Sequence, residues 1–175
     1  MLTKVLGVVA LLLGGLAAVI AMRPAEFRLV RTTTVNAPPE KVFALINDFK
    51  QWEGWSPWAK LDPGMKTTYG NITAGPGATY AWVGNSDVGE GKMTITGAQP
   101  HSSVTIRLEF LKPMEATNMT EFTLTPSGTG TKVDWSMTGT NNFMAKAFDF
   151  FMNMDKMVGA DFEKGLTQMK TAAEK

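Results

Sequence analysis

An α+β fold, an antiparallel sheet with helices gathered on one face, is predicted by the order of patterns along this chain. Three observations lead there. Between Met65 and Thr138, apolar residues recur at every second position in short segments separated by turn residues, as in strands with one solvated face. Between Asn142 and Ala172 the apolar spacing changes to three and four, as in a long helix. One strand and two short helical segments precede the series.

The elements follow in order. Val5 to Met22 is a run without a charged side chain. As a helix it would span about 27 Å, close to the hydrocarbon thickness of a bilayer. Lys4 precedes it, and Arg23, Arg28 and Arg31 follow; positives at both ends leave its orientation open. A cleaved signal segment would use Val19-Ile20-Ala21, but the apolar core of such segments typically runs ~7–15 residues. An uncleaved anchor suits the length better. A buried core helix would need a partner on every face, because no face of the run is polar. Gly14 and Ala18 form a small-xxx-small pair, common by chance in such segments.

Arg23 to Glu26 reads as a linker, and Phe27 to Val35 as a strand, with Thr32, Thr33 and Thr34 favouring extended backbone. Asn36 to Glu40 starts a helix: proline suits a first turn, Glu40 suits the positive end of the dipole, and Asn36 or Ala37 stands near the cap. Phe49, Trp52 and Trp55 lie in a second short helix or turn ending before Pro57. Strands are then expected at Met65–Tyr69, Thr79–Val83, Lys92–Thr96, Val104–Phe110 and Thr117–Thr125, with a last one carrying Val133, Trp135 and Met137 after the turn Ser127–Gly130. The final helix is expected to be continuous over Asn142 to Ala172. Its core-facing stripe is Met144, Phe148, Phe151, Asp155, Val158, Phe162, Leu166 and Met169. Phe143, Phe150, Met154 and Met157 lie off that stripe, so its first half is apolar around most of its circumference.

Composition removes several function classes. Net charge is +1 with no Lys/Arg-rich run, so nucleic acid is not an expected partner. The chain has no Cys and one His, His101; cysteine nucleophiles, thiolate metal sites and multi-histidine metal sites within one chain are thereby excluded. No strand–glycine–helix phosphate cradle is present. No cofactor is implied.

The stretch Asn36-Ala37-Pro38-Pro39-Glu40-Lys41-Val42-Phe43-Ala44-Leu45-Ile46-Asn47-Asp48-Phe49, followed by Trp52, Trp55, Ser56, Pro57 and Trp58, resembles the START-like/Bet v 1-like (SRPBCC) superfamily, in particular its bacterial polyketide cyclase/dehydrase and lipid-transport group. Gly128-Thr129-Gly130-Thr131-Lys132-Val133-Asp134-Trp135 resembles the group's last turn and strand. The likeness spans residues 27–172. It implies a helix-grip fold: about seven curved antiparallel strands wrapped around a long C-terminal helix, with a cavity between. It implies a lipid-like or other apolar ligand, and for a minority of members an enzyme activity. It carries no shared catalytic set onto this chain. The expected division is residues 1–23 as transmembrane anchor or signal segment and 24–175 as the domain. The expected location is the bacterial inner membrane, single-pass, with the domain exported; cleavage of residues 1–21 would release a secreted form. Oligomeric state is left open.

No catalytic constellation is recognisable. His101 lies in Gln99-Pro100-His101-Ser102-Ser103, a polar turn, where it is either a solvated histidine or a lone general base. Tyr80 and Asp155 are the other acid–base candidates. Glu109 and Asp134 alternate opposite to the apolar positions and should face solvent. Asp155, between Phe151 and Val158, either offers one directional hydrogen bond inside an apolar pocket or stands at its edge, reaching water or pairing with Lys156 or Lys41. The expected ligand-binding residues are Trp82, Met93, Trp135, Phe148, Phe151, Met152 and Asp155. They line either a pocket or an ordinary filled core; methionine is suited to surfaces that repack around varied guests. The excess apolar face over Phe143 to Met157 favours a pocket or a membrane-facing lid. Trp52, Trp55 and Trp58 read as packing at the sheet edge, as a clamp for a sugar or lipid, or as residues resting in a bilayer interface. Three functions result: a membrane-tethered carrier of an apolar small molecule, a cyclase/dehydrase-like enzyme, or an interaction domain with a filled interior.

Overall fold

The computed structural model describes residues 2–175. Its first helix, α1 (Leu2–Met22), carries a single charged residue, Lys4. It is long and apolar enough to cross a membrane, a property anchors and signal segments share. Ile20, near its end, is its buried residue.

After a short linker come β1 (Glu26–Val35), α2 (Pro39–Asn47) and two tight helical turns, Phe49–Gly54 and Trp58–Lys60. Pro38 caps α2, slightly later than Asn36 or Ala37. Then follow β2 (Lys66–Tyr69), β3 (Thr79–Val83), β4 (Glu90–Gln99), β5 (Ser103–Lys112), β6 (Ala116–Ser127) and β7 (Gly130–Thr140). All pairings are antiparallel, in the order β1-β7-β6-β5-β4-β3-β2. Six strands form a meander, and the first strand pairs with the last. The pairing matches Glu26 with Thr140 and Arg31 with Trp135.

The alternation along the strands is realised as burial on one face. Leu29, Met137, Thr120, Ile106 and Ile95 stand opposite one another across five strands, all buried. Glu109 and Asp134 lie outside the core.

The continuous final helix is corrected to two. α3 (Phe143–Met152) and α4 (Met154–Ala173) meet at Asn153, whose φ of 53° and ψ of 79° are left-handed. Asparagine tolerates that region better than most residues. Its side-chain Oδ1 accepts from the Lys156 amide at 3.0 Å, and the Asp149 carboxylate accepts from the Met154 amide at 3.0 Å. Two freed donors of the new helix start are thereby satisfied. The break divides the apolar stripe. Phe162, Leu166 and Met169 on α4 are buried and Val158 packs against them, whereas Met144, Phe148 and Phe151 on α3 are exposed.

α4 closes the concave face over an aromatic stack. The Trp135 ring lies 3.9 Å from Phe162 at 12° and 4.7 Å from Phe122 at 28°. Trp52 and Trp55 are buried beside it, their indole N–H groups donating to the Ile46 and Leu45 carbonyls at 2.9 Å. Trp135 donates to Thr120 Oγ1 at 2.9 Å, whose hydroxyl in turn donates to the Ser136 carbonyl at 2.7 Å. These buried polar tips are therefore satisfied. Trp52 and Trp55 are core residues; Trp58 meets Trp135 edge-on from the rim. Two glycines let α4 approach this closely. A Cβ at Gly165 would lie 2.8 Å from the Trp135 ring, and one at Gly159 would collide with the Arg31 guanidinium.

Candidate functional site

The interior beneath α4 is filled by the aromatic stack, and open space is found at one corner of the sheet. There β1 begins, β7 ends, and α3 hands over to α4. The register sets Leu29 beside Met137, and the helical break brings Met154 and Val158 over them. Together with Phe27 they line a recess of about 170 Å³. Its polar lining comes from Arg28, Asn141, Asp149 and Asp155. Dry engineered cavities of about 150 Å³ admit one benzene ring, so the recess suits a small ring or the end of a chain.

Charge pairing tightens this corner. Arg23 meets Asp149 at 2.8 Å. Arg31, on the inner face of β1, meets Glu163 at 2.8 Å and Asp155 at 3.2 Å, and donates to the Asp155 carbonyl at 2.9 Å. The Asp155 hydrogen bond, with Glu163 adding to it against partial desolvation, holds the guanidinium above its usual range. Asp155 itself is two-thirds exposed. It stands at the rim of the recess as the partner of Arg31, rather than of Lys156 or Lys41.

The expected ligand residues are distributed over three places. Asp155 lines the recess. Trp135 is sealed under Phe162; Trp82 and Met93 are buried on β3 and β4, where Trp82 stacks on Tyr80 and donates to the Val88 carbonyl at 3.0 Å. Phe148, Phe151 and Met152 are exposed on α3, because the turn at Asn153 carries that helix off the sheet. The structure does not bring these seven together. Phe27, Leu29, Met137, Met154 and Val158 are the apolar lining that sequence reasoning missed. Their alternation and helical spacing were visible; the pairing of β1 with β7 that unites them was not.

The acid–base candidates are separate. His101 sits in the β4–β5 turn at φ 61°, its ring edge-on to Phe43 at 5.5 Å, in an open surface groove. Tyr80 packs among Phe49, Tyr69 and Trp82, and burial pushes its phenol up to about 12. Among the described residues, no group of three or more His, Asp or Glu could hold a metal ion.

A family model described as polyketide cyclase / dehydrase and lipid transport matches residues 26–174. No curated protein matches the sequence. Among solved structures, protein CV1439 from Chromobacterium violaceum superposes with a TM-score of 0.62 at 16% identity, over 87% of this chain and 99% of that one. The KanY protein gives 0.65 at 21% identity, over 86% and 99%. Ara h 8.0201 gives 0.61 at 16% identity, over 85% and 97%. At these identities the likeness is one of fold.

Proposed function

The chain belongs to the polyketide cyclase/dehydrase and lipid-transport family of the START-like/Bet v 1-like superfamily, and from that premise we propose that it is a membrane-tethered carrier that grips one end of an apolar small molecule. The carrying observation is the recess formed by Phe27, Leu29, Met137, Met154 and Val158. Its size suits a ring or chain end, with Arg28, Asn141 and Asp155 available at the rim for a polar group. The tether is α1, which crosses the bilayer in this reading. The family match begins at residue 26, which supports a domain running from residue 24.

A naphthylamine-type fluorescent probe added to the purified full chain tests the proposal, together with mass spectrometry of its organic extract. The expected results are saturable uptake and a stoichiometric co-purifying apolar compound. Met137→Trp, which fills the recess, should weaken uptake about tenfold, equivalent to roughly 1.4 kcal/mol. A second reading, an interaction domain with a filled interior, is favoured by the sealed Trp135–Phe162 stack. A ligand-free protein that takes up no probe would refute the carrier reading and leave this one standing.

A further inference from the structure

We propose that α3 is an interfacial membrane helix, lying in the surface of the bilayer that α1 crosses and holding the mouth of the recess against the lipid. The inference rests on the reading of α1 as an anchor. Glu26 pairs with Thr140, and the Asn141 amide donates to the Ala25 carbonyl at 2.7 Å. The chain that enters β1 and the chain that leaves β7 are thus fastened at one point. α1 precedes that point by a short linker and α3 follows it directly, so both start from the same corner.

The charges of α3 then tie it to the end of α1. Lys146 Nζ donates to the Ala21 carbonyl at 3.1 Å, and Asp149 accepts from Arg23 at 2.8 Å. The Arg23 guanidinium also stands 5.6 Å over the Phe150 ring. Lys146 and Asp149 are the only charged residues of α3, and both are engaged here. What remains outward is apolar: Phe143, Met144, Phe148, Phe151 and Met152 are all exposed, Phe151 by 66%. An exposed apolar patch of this kind marks a covered surface.

The occupant follows from position. On the anchor reading Arg23 directly follows the membrane-spanning helix and lies at the headgroup level, where arginine reaches water and phosphate. Lys146, Asp149 and Phe150, in the middle of α3, all touch the end of α1 or Arg23, so the helix is held at that level. Its large apolar side chains would enter the headgroup–acyl boundary. The recess, which Asp149 and Met154 help to line, lies beside it, so a guest would pass between bilayer and domain with little exposure to water.

The chain has no Cys, so single cysteines can be introduced directly for an environment-sensitive label. The full chain is reconstituted in phosphatidylcholine/phosphatidylglycerol vesicles with spin-labelled quencher lipids. Three positions are compared: Phe151→Cys on α3, Leu12→Cys midway along α1, and Lys132→Cys at the other end of β7. Phe148→Cys replaces the first should labelling at 151 disturb folding. The expected result is a label at 151 about 5–10 Å below the headgroup boundary, quenched at least about twofold more than the label at 132. The label at 12 should lie near the bilayer centre. An aqueous label at 151 with a buried one at 12 overturns the inference and leaves the anchor standing. An aqueous label at 12 removes the anchor and the inference with it. A label at 151 that is shielded without lipid quenching, and self-quenches between copies, assigns the surface to a second chain and overturns the proposal.

Discussion

Phe151 and Phe162 belong to one stripe by spacing, yet the break at Asn153 gives them opposite fates. Phe162 is 2% exposed and stacks on Trp135, while Phe151 is 66% exposed. Phe162→Ala removes a buried ring and leaves a void that the rigid Trp135 and Trp58 rings beside it cannot collapse into. A substitution of this type costs about 3–5 kcal/mol. The lost stacking, worth about 0.5–1.5 kcal/mol, places it toward the upper end of that range. For a domain of this size about 2–4 °C accompanies each kcal/mol, so the midpoint should fall by roughly 6–20 °C. Phe151→Ala should change stability by no more than about 0.5 kcal/mol. The assay is thermal unfolding of the full chain in mild detergent, followed by the near-ultraviolet circular dichroism of the buried tryptophans. Equal losses at the two positions would mean that α3 packs on the sheet as a continuation of α4. A loss near zero at Phe162 would mean that α4 does not close the core.

Three further outcomes are expected. Asn153→Ala should cost about 1–2 kcal/mol, because it removes both the cap and a residue tolerant of left-handed backbone; Asn153→Gly should cost only a few tenths, and comparison of the two melts checks this. The Tyr80 phenol, raised by burial to about 12, stabilises the fold fully below its unfolded value of about 10. That contribution is lost as pH rises through about 12, so spectrophotometric titration of the folded protein should show Tyr80 ionising only near that upper limit. The Asp134 carboxyl loses some solvent, which alone would raise it, but hydrogen bonds from Thr32 and Lys132 hold it below the usual carboxylate range. Its stabilisation is present above the unfolded pKa and is lost as pH falls through the folded one, so Asp134→Asn should flatten the acid limb of an unfolding profile.

Much of the fold was legible in local pattern. Val104, Ile106 and Phe122 alternate with polar neighbours and point inward, as period-two spacing requires. Trp135 was legible as an inward residue; that Phe162 covers it was not, because spacing along α4 does not say which strand lies beneath. The break at Asn153 was hidden, since apolar residues at intervals of three and four continue on both sides and asparagine is not excluded from a helix. Asp155 was legible as a carboxylate on an apolar stripe. Its partner Arg31 lies 124 residues away, on a strand whose neighbour in the sheet no local pattern reveals. The recess depends on that same β1–β7 pairing and so was illegible for the same reason.

The pairing of the first strand with the last also sets a delay in synthesis. β1 leaves the ribosome about 95 residues before β7 begins, which at ~5–20 residues per second is roughly 5–20 s. During that interval its designated neighbour does not exist, and both long edges of the strand are open. An unpaired edge invites pairing with another chain, and charged residues on it discourage that. Arg28 and Arg31 stand along β1, together with three consecutive threonines. In the finished molecule Arg31 braces α4; in the growing one its charge would disfavour pairing with a wrong partner.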